Sequence, residues 1–159
     1  MTTSDLTAAG IDRMTETEIH DFLASQGTGV LGLPTTETPY LLPLSYGYDE
    51  DTLYFTYLRG ASSRKESLSE SAGSAAFLVY TASSPFQWQS VLLEGTIERI
   101  EDDDPAHDES VGNPWRPAVF DRIELPRGVQ RYAFRIQDRS GLKHTGLPPA
   151  METGEFEGN

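Results

Sequence analysis

Leu53-Tyr-Phe-Thr-Tyr-Leu-Arg-Gly-Ala-Ser-Ser-Arg-Lys-Glu-Ser-Leu68 is the stretch around which the chain is organised. Its first part, residues 52–57, is β-branched and aromatic and reads as a strand. Ser63 followed three residues later by Glu66 is a capping-box pattern, so a helix is expected to start there after a short loop. The first backbone N–H groups of such a helix lack intrahelical partners, and its dipole turns a positive end outward, so the position favours an anion. Arg64 and Lys65, with the hydroxyls of Ser62 and Ser63, add charge-assisted donors at the same spot. A phosphate cradle and an ordinary capped helix with two solvated cations fit this spacing equally well.

Upstream, residues 40–48 read as a strand that turns through Asp49-Glu50-Asp51 into the strand at 52–58. Pro43 sits mid-strand, where it removes a ladder hydrogen bond and implies an edge, a bulge or a ligand-facing bend, with Leu44, Ser45 and Tyr46 lining it. Residues 34–39 form a turn. Gly27-Thr-Gly-Val-Leu-Gly32 has the letters of a dinucleotide fingerprint, but it follows a helix instead of opening one, and Val30, Leu31 and Leu33 read as the strand itself. Its glycines suit a close backbone approach or a sharp bend. The preceding helix has Thr15 as N-cap, Glu18 completing a capping box, Met14 and Ile19 as a staple, an apolar stripe at Ile19, Phe22 and Leu23, and Gly27 as its stop. Residues 1–13 read as a polar lead-in.

Downstream, residues 75–81 form an apolar strand, 82–86 a loop, and 88–100 a long strand with a bulge or bend at Gly95. Glu101-Asp-Asp-Asp-Pro105 lacks the spacing of a calcium loop and reads as a solvated turn. Residues 106–128 have no clear period, and an irregular excursion with at most one short helix is expected. Residues 130–137 alternate, placing Tyr132, Phe134 and Ile136 on one face and Arg131, Ala133 and Arg135 on the other. Ser140-Gly141 is expected to turn the chain, 142–145 to add a short strand, and 146–159 to be a mobile tail. Many short strands at hairpin spacing with flanking helices point to a mainly β fold, an antiparallel sheet closed or nearly closed on itself.

At 159 residues and 37% apolar content the chain fits one domain with a real core. It has 25 acidic residues against 12 basic ones, only two of them lysine, for a net charge of −13. That charge argues against a nucleic-acid partner. An acid-rich, lysine-poor chain fits the cytoplasm of an extreme halophile; an acidic mesophilic protein is the competing reading. Cysteine is absent, which excludes disulfides and thiol catalysis. No basic, apolar leader opens the sequence and no apolar run is long enough to span a membrane, so a cytoplasmic location is expected. His20, His107 and His144 lack metal-ligand spacing, no metal site is expected, and neither a Walker loop nor a nucleophile elbow occurs. Without metal ligands or a nucleophile, chemistry would have to come from a borrowed organic cofactor.

At this point the chain resembles the pyridoxamine 5'-phosphate oxidase-like, FMN-binding split β-barrel family, most clearly over residues 15–100. Phe55-Thr56 followed by Ser63-Arg64-Lys65 is similar to the family's segment on the ribityl phosphate. Pro43-Leu44-Ser45-Tyr46 is similar to the strand facing the flavin ring, and Trp88-Gln89-Ser90-Val91-Leu92-Leu93-Glu94-Gly95 to the segment that reaches the flavin across a dimer interface. The resemblance implies an antiparallel split barrel over residues 1–145, FMN as cofactor, and a homodimer with flavin at its interface. It implies a flavin-dependent oxidoreductase working on a small-molecule electron donor or acceptor. Arg64 and Lys65 would neutralise the phosphate, and Ser45, Thr56 and Ser90 would bond ring or ribityl oxygens. The chain departs from the family's oxidases in having Ser90 where they place a glutamine, with Gln89 one residue earlier and on the other face. It also ends Gly-Glu-Phe-Glu-Gly-Asn in place of their arginine-bearing segment, so vitamin B6 oxidation is not what the resemblance implies. A non-catalytic flavin or haem binder, and a deazaflavin-dependent reductase, are the alternatives on the same barrel.

Overall fold

The computed structural model describes residues 3–58, 64–100 and 129–146. In chain order they form α1 (Thr3–Ala8), β1 (Ile11–Arg13), α2 (Glu16–Ser25), β2 (Thr28–Leu33), β3 (Tyr40–Ser45), β4 (Gly47–Asp49), β5 (Thr52–Leu58), α3 (Arg64–Ser71), β6 (Ala75–Ser84), β7 (Gln87–Ile100) and β8 (Val129–Thr145). Every strand pairing is antiparallel, in the order β3-β2-β6-β7-β8-β5-β4, with β1 added along β8. The two ends of this order, β3 and β4, are separated in the chain by Tyr46 alone. The sheet therefore curls round and meets itself, giving the split β-barrel with few helices that the sequence led us to expect.

Period-two alternation decides what fills it. Leu31, Leu33, Leu53, Phe55, Tyr57, Phe77, Val79, Val91, Leu93, Tyr132 and Phe134 point inward and are buried. Phe77 is the centre of an aromatic cluster, stacked on Phe55 at 5.1 Å and edge-on to Tyr46 at 5.5 Å. Helix α2 contributes Ile19, Phe22 and Leu23 to the same core, so its apolar stripe is where its periodicity put it. Both arms of its capping box form, between the Thr15 and Glu18 side chains and each other's backbone N–H. The second oxygen of Glu18 accepts from Lys143 on β8 and ties the helix to the barrel wall. Tyr46 closes the seam: its hydroxyl donates to the Leu23 carbonyl at 2.8 Å and its N–H to the Gly27 carbonyl at 3.0 Å. Burial, with a smaller contribution from Tyr48, lifts the Tyr46 hydroxyl pKa well above the phenolic range.

Several expectations need correction. Residues 3–13 are no plain lead-in: they hold α1 and β1, the latter pairing Ile11, Asp12 and Arg13 with His144, Lys143 and Leu142. The strand expected over residues 40–48 is two strands broken at Tyr46. The hairpin between β6 and β7 is tighter than the loop expected at 82–86, because β6 runs on to Ser84. Most instructive is Ser140-Gly141, where no turn forms and β8 continues without interruption. A Cβ at position 141 would lie 2.8 Å from Met14 Sδ and 3.0 Å from Ile19 Cγ1, so this glycine is a seat for α2. Gly29 answers the fingerprint question in the same way, since a Cβ there would stand 2.4 Å from the Phe77 ring and 2.6 Å from the Leu78 carbonyl oxygen. Gly95 does mark a bulge, where the β7–β8 register shifts between Glu94 and Gly95. The readings of 101–128 and 147–159 fall outside the described residues.

Candidate functional site

Two groups of side chains stand out on this frame. The first gathers at the start of α3. The Arg64 guanidinium lies over the Tyr40 ring, 5.1 Å from its centroid, and the Lys65 ammonium over the Tyr57 ring at 5.4 Å. Tyr57 is fixed from below by a 2.9 Å hydrogen bond between its hydroxyl and Ser69 Oγ and by the Tyr132 ring, 4.6 Å away. Burial, only partly opposed by the Ser69 hydrogen bond, pushes the Tyr57 hydroxyl up to about 12, so the ring beneath Lys65 is a neutral phenol. The Tyr132 hydroxyl is likewise pushed up to about 12, by burial and by the nearby Glu70 and Glu66, and it has no hydrogen-bond partner among the described residues.

Four of the other described cations make this arrangement informative, although the exposed Arg13 also forms no ion pair among the described residues. Arg99, Arg135, Arg139 and Lys143 pair with Glu70, Glu98, Asp51 and Glu18. Among the described residues neither Arg64 nor Lys65 meets a carboxylate; both rest on tyrosine faces. In a chain with twice as many acids as bases, these two adjacent cations thus meet aromatic rings and no carboxylate among the described residues.

The second group occupies the outer face of the β6–β7 hairpin. Leu78, Tyr80, Thr81, Trp88, Gln89 and Ser90 line an open depression of about 350 Å³. Strand register extends this face into a largely apolar sheet surface, bounded in the row of Leu41 by the exposed Glu94. Pro43, Val30, Leu78 and Leu92 are consecutive cross-strand partners, and Ser45 and Ser90 lie two residues further along their strands in the same direction. Leu41, Tyr80 and Leu92, the large apolar residues left 66%, 58% and 42% exposed, all belong to this face by alternation. Behind Trp88 stands His144, its partner across the β7–β8 ladder, buried, with its ring 5.6 Å from Phe86 and 6.1 Å from Trp88. Its Nδ1 is buried with no hydrogen-bond partner among the described residues.

The structure brings Arg64 and Lys65 together, and Trp88 and Ser90 together, but it separates the two pairs within one chain. Tyr40 pairs with Leu33, next to the Gly32–Ala76 pair, whereas Trp88 pairs with Ala82. At about 3.3 Å per residue along β6, the levels of Tyr40 and Trp88 are offset by roughly 20 Å in the strand direction. Of the remaining sequence candidates, Pro43 is exposed, Ser45 half-buried and Thr56 exposed on the outer face. Leu44, Tyr46 and Phe55 face the core, so they can offer a ligand backbone atoms only. Gln89 is half-buried and, although its strand parity is opposite to that of Ser90, contributes to the same depression. Ser62 and Ser63 lie outside the described residues. Sequence reasoning missed Tyr40 and Tyr57 beneath the cations; the inward parity of Tyr57 was legible in β5, but the approach of Tyr40 to α3 has no local signal. Among the described residues no three metal-ligating side chains cluster, and no helix is long and apolar enough to cross a membrane.

The sequence profile of the pyridoxamine 5'-phosphate oxidase family matches residues 15–143, which include both groups. The chain belongs to that family. Among solved structures it is similar to an FAD-binding protein from Mesorhizobium loti, with a TM-score of 0.69 at 19% identity, covering 85% of this chain and 97% of that one. It is also similar to an FAD and haem binding protein from Mycobacterium smegmatis, at TM-score 0.67 and 18% identity over 91% and 80% of the two chains. An FAD binding protein from the same organism aligns at TM-score 0.58 and 14% identity over 84% and 97%. No curated protein sequence matches. At these identities the likeness establishes the fold, and within the pyridoxamine 5'-phosphate oxidase family the chemistry has to be argued from the two groups themselves.

Proposed function

We propose that this family member binds FMN and acts as a flavin-dependent oxidoreductase on a small-molecule electron donor or acceptor, with the homodimer as its working unit. The observation that carries the reading is the pair Arg64 and Lys65, adjacent at a helix start, resting on tyrosine rings and meeting no carboxylate among the described residues of an acid-rich chain. That is a fit to a dianionic phosphate, since each cation can give charge-assisted hydrogen bonds that no acid among the described residues occupies. The names of the structural relatives, two of them FAD-binding proteins and one an FAD and haem binding protein, support a flavin more broadly.

A bound flavin supplies reversible one- and two-electron transfer; the chain supplies position and surroundings. In this reading Arg64 and Lys65 hold the phosphate, and Ser45, Thr56 and Ser90 bond ring or ribityl oxygens. Trp88 and Tyr80 give the ring an apolar wall that keeps water away. The offset of about 20 Å along the strands between the level of the cations and that of the tryptophan within one chain is met by a second copy, whose Trp88–Ser90 segment would cover the ligand held by the first chain's α3. The largely apolar face around Leu41, Leu78, Tyr80 and Leu92 suits such an association, because residues 82–93 carry no charged side chain.

The test is the visible spectrum of the purified protein, with mass analysis of whatever heat releases. A yellow protein releasing FMN is the expected result. Release of FAD would keep the flavin site and correct the nucleotide; a sharp haem band without flavin, or a colourless protein that takes up neither FMN nor a deazaflavin in high salt, would overturn the reading.

A further inference from the structure

We infer that Tyr40 is a positioning residue for the phosphate-binding arginine, a rest that holds Arg64 in place before any ligand arrives. The inference deepens the function proposed above and depends on its phosphate site. Tyr40 opens the edge strand β3, and its half-buried ring packs against the core on one side while the Arg64 guanidinium covers it, 5.1 Å from the centroid. In a chain with 25 acidic residues an arginine has many carboxylates to turn to, and four of the other described cations do so, the exposed Arg13 not among them. The face of an aromatic ring attracts a guanidinium through its quadrupole, yet it uses none of the five N–H donors, which lie in the guanidinium plane. A carboxylate would occupy two of those donors and neutralise the charge. Tyr40 thus restrains Arg64 while leaving its hydrogen-bonding edge and its charge available to an anion. Lys65 on Tyr57 repeats the arrangement one residue later, at 5.4 Å, with Tyr57 itself anchored by Ser69.

This division of labour separates a positioning role from a structural one, because it concerns the phosphate alone. FMN and riboflavin share ring and ribityl chain, so a loss confined to FMN reports Arg64, whereas a disturbed barrel weakens both. Binding of FMN and of riboflavin is measured by flavin fluorescence quenching in high salt on wild type, Tyr40→Phe, Tyr40→Leu, Arg64→Ala and the Tyr40→Leu/Arg64→Ala double variant. Tyr40→Phe keeps the ring and is expected to bind FMN like wild type. Tyr40→Leu keeps apolar bulk without the quadrupole, and its FMN dissociation constant is expected to rise about three- to thirty-fold with riboflavin unchanged. In the Arg64→Ala background the leucine substitution is expected to cost FMN nothing further, because the two residues act as one unit. A loss that strikes both ligands equally, a Tyr40→Leu variant that binds FMN normally, or additive losses in the double variant would overturn the inference while leaving the phosphate site standing. If Arg64→Ala itself weakens FMN and riboflavin alike, the phosphate site is wrong and the role of Tyr40 falls with it.

Discussion

Arg64 and Lys65 carry the functional reading, and they stood out in the sequence because the surrounding composition made them unusual: in a chain with two lysines and 25 acids, adjacent cations at a helix start are conspicuous. Replacing both with alanine is expected to weaken FMN by at least about two orders of magnitude and riboflavin little, since charge-assisted hydrogen bonds are worth roughly 1.5–3 kcal/mol each; titration of both ligands checks it, and equal losses would make the cations structural. What could not be read was their support, because Tyr40 and Tyr57 meet them only once the sheet has curled. Glu18 offers a second test at this scale. The hydrogen bond from Lys143, then those from the Thr15 backbone, hold its carboxyl below the usual 4.5. A depressed carboxylate adds stability that is present above its unfolded pKa and lost as pH falls through the folded one. The melting temperature of wild type should therefore exceed that of Glu18→Gln at pH 7, with the gap closing as the pH is taken below 4.5. A gap that persists unchanged to pH 3 would mean the ion pair contributes nothing.

Elements whose signals are local were found where the sequence placed them. Helix α2 shows this best, with cap, box and apolar stripe all within residues 15–23. Thr15→Ala removes the cap acceptor and should cost about 1 kcal/mol, a fall in melting temperature of about 2–4 °C for a chain of this size; differential scanning calorimetry would show it, and an unchanged transition would deny the box any energetic part. Elements decided by distant packing were misread. Ser140-Gly141 has the composition of a turn, but the space under Met14 and Ile19 admits only a glycine, and ladder bonding to β7 and β1 carries β8 straight through. Likewise β1 is too short and too polar to announce itself; it exists because β8 offers it an edge. Of the edge, bulge or ligand-facing bend that Pro43 implied, the structure gives the edge, since β3 ends the strand order, and an edge is where a missing N–H costs no ladder bond.

For the whole molecule, the family pattern and the antiparallel sheet were legible while the spatial separation of the two groups was not, because only the register of β6 shows that one chain keeps its cations and Trp88 at opposite ends. We propose that the net charge of −13 reflects adaptation to high salt. At 1 M the Debye length is about 3 Å and repulsion among surface acids is screened, so the melting temperature should rise between low and molar salt; a flat profile would remove the halophile reading. The apolar outer face bears on assembly. It leaves large side chains bare in a chain otherwise crowded with carboxylates, and two-fold pairing is the simplest closed arrangement that covers it. Trp88 is the natural anchor, being large and apolar with one N–H for a partner, and backed by His144 and Phe86. The most direct measurement is light scattering coupled to absorbance in high salt, on the FMN-loaded wild type and on Trp88→Glu. Wild type should elute at twice the mass of the chain with one flavin per chain, and Trp88→Glu should lose dimer and flavin together. A wild type that is monomeric yet holds FMN would contradict a site shared between two copies.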